Sequence, residues 1–297
     1  MRLVWLMAIP LLVACSPLPP VPSLFGDAGE GVGRIVELRS GRVLSADELV
    51  DALTEAPRVL VGERHDNPDH HALQAWLLAA ADRHEAAPSL LLEMLVPSQQ
   101  ARASDVQQAI AAGTPPSDLE TALAWDQGWP WPLYGELVTQ AMRREQPVLA
   151  ANLDPDEIKR IYRARPALPQ GAATEAAVHD ALLSQIRESH CGLLPESQLP
   201  AMLAVQQQRD RRMAERLLAA PAPAWLFAGA FHVRKDLGVP LHLADLGAQG
   251  PVRVLMLAEA GESVTAAQAD YVWYTPPRPA EDHCAALRES HGTRGDR

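Results

Sequence analysis

Arg58-Val-Leu-Val-Gly-Glu63-Arg-His-Asp-Asn-Pro-Asp-His-His71 is the stretch that decides how this chain folds. Arg58 to Gly62 is an apolar run of strand length that ends in glycine. The residues after it are polar until Pro68. That proline opens a helix predicted to run to about His84, with Leu73, Trp76, Leu77 and Ala80 on one face. Buried strand, polar turn and amphipathic helix together make the repeating unit of an α/β sheet.

The same unit recurs outward in both directions. Further apolar strands are predicted at Ser89–Met94, Pro147–Leu153, Ala224–Gly229, Val252–Ala258 and Tyr271–Tyr274. Helices are predicted from Pro97 and from Pro132. Ser45-Ala-Asp-Glu48 reads as a capping box opening a helix to about Glu55. Arg34–Leu38 and the residues after Gly41 read as a small hairpin. Continuous apolar strands alternating with helices need a mostly parallel sheet covered on both faces. The fold class is therefore α/β. Helical stretches at Thr174–His190 and Pro195–Ala220 interrupt the alternation, which predicts a helical cap or insertion around 174–220.

The N-terminus reads as an export signal. Arg2 precedes an apolar stretch from Leu3 to Val13, too short to span a bilayer as a retained helix. Leu12-Val-Ala-Cys15 has the form of a lipobox, so Cys15 is the expected lipidated residue. A proline-rich tether follows. The chain divides into a signal peptide at 1–14, a lipidated start and tether at 15–33, an α/β domain at 34–280 and a tail at 281–297. Ser16 after the cysteine favours the outer membrane, facing the periplasm, so a membrane is an expected partner through the lipid anchor. With a net charge of −11 and no Lys/Arg block, nucleic acid is not an expected partner. Cys191 and Cys284 are the two further cysteines, the number one disulfide needs in an oxidising compartment, although spacing alone does not show that they meet.

In open parallel sheets, ligands bind beyond the carboxyl ends of the strands. Here those ends carry Glu63-Arg64-His65-Asp66, Glu93, Asn152-Leu-Asp154 and His232-Val-Arg234-Lys235. A terminal glutamate on a core strand costs several kcal/mol if buried unpaired, so this concentration of acids and imidazoles points to a polar pocket. Glu63, His65, Glu93 and His232 suit a divalent metal, or general acid–base chemistry. Taken singly, Glu63 could instead pair with Arg64 or Arg234, and Asp66 could cap the next helix. His70 and His71 read as surface or supporting groups. Trp125, Trp129, Trp131 and Tyr134 are dense for this chain. They read first as a plug between helix and sheet, and second as an apolar wall for a flat ligand. Alternation puts Tyr271 and Trp273 on one face of the last strand and Tyr274 on the other. Gln206, Arg209, Asp210 and Met213 share one face of a long helix.

These segments, with His190-Cys-Gly-Leu-Leu-Pro195 and Gly229-Ala-Phe-His-Val-Arg234, resemble the ChaN-like haem-binding uptake lipoproteins of the Tiki/TraB and erythromycin-esterase-like superfamily. The resemblance covers nearly all of the mature chain. It implies a lipoprotein that binds haem noncovalently and takes part in haem or iron uptake, since no Cys-x-x-Cys-His is present for covalent attachment. Tyr134, Tyr271, Tyr274, His65, His190 and His232 are the candidate iron ligands, with Arg209, Arg234 or Lys235 for a propionate. In superfamily enzymes, residues matching Glu63, His65, Glu93 and His232 line the active site. That keeps a metal-dependent protease or esterase as the alternative, and leaves enzymatic activity open. A homodimer is also left open.

Overall fold

The computed structural model describes residues 20–22, 31–83, 87–279, 284, 285 and 288. The signal peptide at 1–14, Cys15, most of the tether and most of the 281–297 tail lie outside these, as does His84. No helix among the described residues is long and apolar enough to cross a membrane.

The chain opens with the antiparallel hairpin β1 (Ile35–Glu37) and β2 (Arg42–Leu44), then α1 (Ala46–Thr54). The capping box at α1 is formed, with the Ser45 amide donating to Glu48 Oε2 at 2.7 Å and the Glu48 amide donating to Ser45 Oγ at 3.2 Å. β3 (Arg58–Glu63) and α2 (Pro68–Ala81) follow. The cap of α2 is Asn67, whose side-chain oxygen accepts from the Asp69 and His70 amides. Asp66 does not cap the helix; it pairs with Arg278 and Arg64. Next come β4 (Ser89–Leu92), α3 (Gln100–Ala111), α4 (Leu119–Ala122), α5 (Trp131–Met142), β5 (Val148–Ala150) and α6 (Pro155–Ala164). The long helices are α7 (Ala176–Ser189) and α8 (Leu199–Ala219). The chain closes with β6 (Ala224–Gly229), the single turn α9 (Ala230–Val233), α10 (Val239–Asp245), β7 (Val252–Glu259) and β8 (Tyr271–Thr275).

The strands form one sheet in the order β2-β1-β8-β7-β3-β6-β4-β5. From β8 to β5 every pairing is parallel; the hairpin adds an antiparallel edge. The central strands are buried on both faces, which is why their sequences are apolar without alternation. One apolar layer packs α1, α2, α3 and α5 on the sheet and includes Trp76, Trp225, Tyr271 and Trp273. The other packs α8 and α10 on the opposite face and includes Met213, Leu217, Leu243 and Val272. The helical interruption around 174–220 is thus α7 and α8, and α8 doubles as cover for that second face. Cys191, just past α7, is bonded to Cys284, with their Cα atoms 5.6 Å apart.

Candidate functional site

The parallel arrangement brings the ends of β3, β4, β6 and β7 to one edge of the sheet. Glu63 is the last residue of β3 and Glu93 directly follows β4. Both are buried. β6 ends at Gly229, and the turn α9 swings His232 back over the strand ends. Two glycines permit this crowding. A Cβ on Gly62 would lie 2.4 Å from Val233 Cγ2 and 3.2 Å from Ala230 Cα, so α9 rests directly on the β3 backbone. A Cβ on Gly229 would lie 2.7 Å from His65 Nε2.

Two acid–imidazole groups result. In the first, Glu63 Oε1 accepts from His65 Nδ1 at 2.8 Å and from the Tyr134 hydroxyl at 3.0 Å. His71 Nδ1 stands 2.8 Å from Glu63 Oε2, and its Nε2 lies 3.0 Å from the His65 carbonyl oxygen. Burial pushes the Glu63 carboxyl up, but hydrogen bonds from His65 and His71 outweigh it and hold it down at about 2. Against their own burial, the same contacts raise His65 and His71. Burial raises the Tyr134 hydroxyl, with the Glu63 charge adding to it, so it stays a donor. The Trp129 ring meets His65 edge-on, with centroids 4.9 Å apart.

In the second group, His232 Nδ1 is in close contact with Asp210, which is fully buried. Its Nε2 lies 3.2 Å from Glu93 Oε1, and Gln206 Nε2 lies 3.2 Å from Nδ1. Glu93 Oε2 also accepts from the Gly229 amide at 2.7 Å. Against burial, the Glu93 and Asp210 charges raise His232 to about 10. Burial opposes ionisation of Glu93, but the charge of His232 lowers its carboxyl all the same. Glu63, Glu93 and Asp210 therefore face three imidazoles, so the negative charge is matched in place. Glu63 pairs with His65, His71 and Tyr134, not with Arg64 or Arg234. His71 and His70 are buried rather than on the surface.

These groups floor a cavity of about 780 Å³, lined by Arg64, Gln185, Gln206, Phe231, Glu259 and Arg278 among others. Such a volume suits a ligand larger than a single metabolite ring. Phe231 is 45% exposed, unusual for a large apolar side chain here. A divalent metal on Glu63, His65, Glu93 and His232 does not fit. Among the described residues no three or more acid, histidine or cysteine side chains are arranged to hold one. The physical reason is that the donors engage one another: both His232 nitrogens face carboxylates, and His65 Nδ1 faces Glu63.

Residues 49–243 match the family described as haem-binding uptake, Tiki superfamily, ChaN. The chain belongs to the ChaN family. A solved structure described as cofacial haem binding to ChaN of Campylobacter jejuni superposes on this ChaN-family chain with a TM-score of 0.73 and 28% identity, covering 80% of this chain and 95% of that one. An erythromycin esterase, EreC in its open conformation, gives a TM-score of 0.43 and 14% identity over 82% of each chain. The type III effector HopBA1 gives 0.40 and 16%, over 77% of this chain and 92% of the other. No curated protein matches the sequence.

Within this ChaN-family fold the sequence-derived candidates separate. Glu63, His65, Glu93 and His232 do come together. Tyr134 joins them, but by holding Glu63. Tyr271 is misplaced as a ligand of this cavity: it starts β8, at the other end of the sheet, beside Glu37 and Arg253. Tyr274 packs into the α8-side apolar layer. His190 ends α7, its Nδ1 2.8 Å from the Ile186 carbonyl oxygen; Ser189 beside it lines the cavity. Arg209 is near enough for its charge to lower Glu93. Arg234 pairs with Asp236 at 2.7 and 2.9 Å and lines a neighbouring pocket. The aromatic cluster serves both readings: Trp125 and Trp131 pack into the core layer, while Trp129 reaches His65. Sequence reasoning missed Phe231 and Arg278, since a lone aromatic and a lone arginine carry no pattern. Asp210 was placed on the right helix face, but its partner, 22 residues away, carried no signal.

Proposed function

We propose that the mature chain binds haem noncovalently in the cavity at the strand ends, and serves haem or iron uptake as a lipid-anchored envelope protein. The cavity carries this reading. It is large enough for a flat macrocycle, its exposed Phe231 offers an apolar face, and Arg64 and Arg278 on its lining, ion-paired with Glu262 and Asp66, are the cations a propionate would recruit by exchange of partners. Membership of the ChaN family and the haem complex of the Campylobacter protein support the choice of ligand. When bound, haem would supply iron to carry or release; the protein's part is to hold the macrocycle and exclude water. Anchoring through Cys15, outer-membrane placement and a homodimer are parts of the same proposal, supported by the lipobox and the cofacial haem arrangement of the relative. Titrating the protein with hemin should give a saturable Soret shift of low stoichiometry. An absorbance that only follows added hemin linearly would defeat the proposal.

One observation favours a second reading, hydrolysis. A buried carboxylate holds one nitrogen of His65 while the other faces the cavity, which is how a general base is set up. Turnover of an ester, amide or peptide that disappears in Glu63→Gln would move the function there.

A further inference from the structure

We propose that a second cavity, at the amino-terminal ends of β7 and β8, binds a phosphomonoester. This goes beyond the haem reading and does not rest on it. The cavity measures about 450 Å³ and is lined by Arg39, Lys235, Arg253 and Tyr271, with Glu37 and Asp270. Among the described residues it shares no lining with the cavity at the strand ends. β1 runs antiparallel to β8, so the β1–β2 turn that carries Arg39 lies at this opposite end, where Glu37 pairs with Tyr271. β7 brings Arg253, the second residue of that strand.

Charge decides the ligand. Both acids on the lining are already committed. Asp270 holds Lys235 Nζ at 2.6 Å through Oδ1 and accepts from the Val254 amide at 2.8 Å through Oδ2. Glu37 accepts from the Ser40 hydroxyl at 2.5 Å and stands 3.8 Å from Arg42 Nε. In a chain with 37 acids against 26 lysines and arginines, Arg39 and Arg253 nonetheless form no ion pair with any described residue. Arg253 is partly buried, and its Nε is shut off from solvent without an acceptor. A charge so placed is costly unless something completes it. The two open positive charges match the nearly two negative charges of a phosphomonoester, whose oxygens fit the guanidinium fork. A monocarboxylate would answer only one of them. Tyr271 is buried, and burial raises its hydroxyl more than the Arg253 charge lowers it, so it stays a donor for the same oxygens. Ala266 and Ala269 leave the remaining volume open to a short organic group.

The test is isothermal titration calorimetry of the full chain with inorganic phosphate and with glycerol 3-phosphate. Vesicles of phosphatidylcholine, with and without phosphatidic acid, offer the same chemistry on a lipid. Both soluble phosphates should bind saturably, at one per chain, and more tightly than acetate. Arg253→Gln should weaken them by about 10–100-fold. Arg39→Gln should weaken them as well, and Arg39 is exposed in a turn, so this variant keeps its fold. Lys159→Gln, which removes an exposed charge from α6, should change nothing. The hemin Soret shift should be the same in Arg253→Gln as in the unchanged protein. Binding of glycerol 3-phosphate identifies a free phosphomonoester. Retention by phosphatidic acid vesicles alone, lost in Arg253→Gln, identifies a lipid, and either result upholds the site. Failure of both arms, binding that survives Arg253→Gln and Arg39→Gln, or an equal loss in Lys159→Gln would overturn it. So would a loss of hemin binding in Arg253→Gln, since the cavity would then belong to haem.

Discussion

His65 and His232 stand on either side of Glu93, built from the same parts: an imidazole, a buried carboxylate behind it and a crowded strand end. They differ in what the surrounding elements leave over. His232 sits in the turn α9, pressed onto β3, and both its nitrogens are closed by Asp210 and Glu93. His65 sits in the open turn after β3 and keeps one nitrogen toward the cavity. Similar chemistry is therefore structural on one side and available on the other. The number of charges in each group does not separate them; how closely the second nitrogen meets a carboxylate does, 3.2 Å for His232 and 4.0 Å for His65.

The largest effect should come from breaking the closed side. Asp210→Asn leaves a buried imidazolium short of one partner, and stability should fall by about 3–5 kcal/mol in denaturant unfolding. His65→Ala removes one hydrogen bond from an ionised Glu63 that keeps two other partners, for a loss of about 1.5–3 kcal/mol. If the order of the two losses were reversed, His65 would be the structural histidine and the contrast would be wrong.

Substituting the two glycines tests the same division at smaller scale. Gly62→Ala drives a methyl against Val233 and the Ala230 backbone, which carry His232, and overpacking of this kind costs about 1–3 kcal/mol. Gly229→Ala meets the tip of the His65 ring, which can turn away. Its stability cost should be the lesser, while hemin affinity should drop by about tenfold, or ~1.4 kcal/mol. Equal hemin affinity in Gly229→Ala and the unchanged protein would separate His65 from the ligand.

The smallest effect is a pH dependence, and it sets His232 against His70. The folded state raises His232 to about 10, so its stabilisation is complete below the ordinary histidine value of 6.5 and is lost as pH rises towards 10. Burial lowers His70 to about 3, so its contribution is complete above 6.5 and is lost as pH falls towards 3. Together they place a stability maximum near the ordinary histidine value in a series of thermal melts. Asp210→Asn should flatten the alkaline side of that curve and leave the acid side alone. A mutant curve parallel to that of the unchanged protein would show that His232 does not titrate as its surroundings dictate.

The sheet was legible because its strands are buried on both faces. Arg58–Gly62 and Ala224–Gly229 have no polar face to confuse with a helix. The capping box at Ser45 and the proline at Pro68 marked helix starts through strictly local chemistry. The site was legible as residue types at strand ends, since Glu63 and Glu93 are out of place in a core unless something holds them. The partnerships were not. Tyr134 is 71 residues from Glu63, and Asp210 is 22 from His232. Such pairs depend on how α5 and α8 pack, which no local pattern encodes. Asn67 rather than Asp66 caps α2 for a similar reason: both side chains can do it, and the Arg278 and Arg64 pairs draw Asp66 away. Metal ligation was misjudged because spacing shows which donors converge, and not which of them satisfy one another.

Ser189 and Arg278 are two banks of the same cavity, and the Cys191–Cys284 bond is a rivet set just behind both. A ribosome finishes Cys191 well before Cys284 exists, with 93 positions between them. The rivet can only be driven once nearly the whole chain has been delivered, and only where thiols are oxidised. A copy held in a reducing compartment would carry every residue of the cavity and still lack the covalent join between its banks.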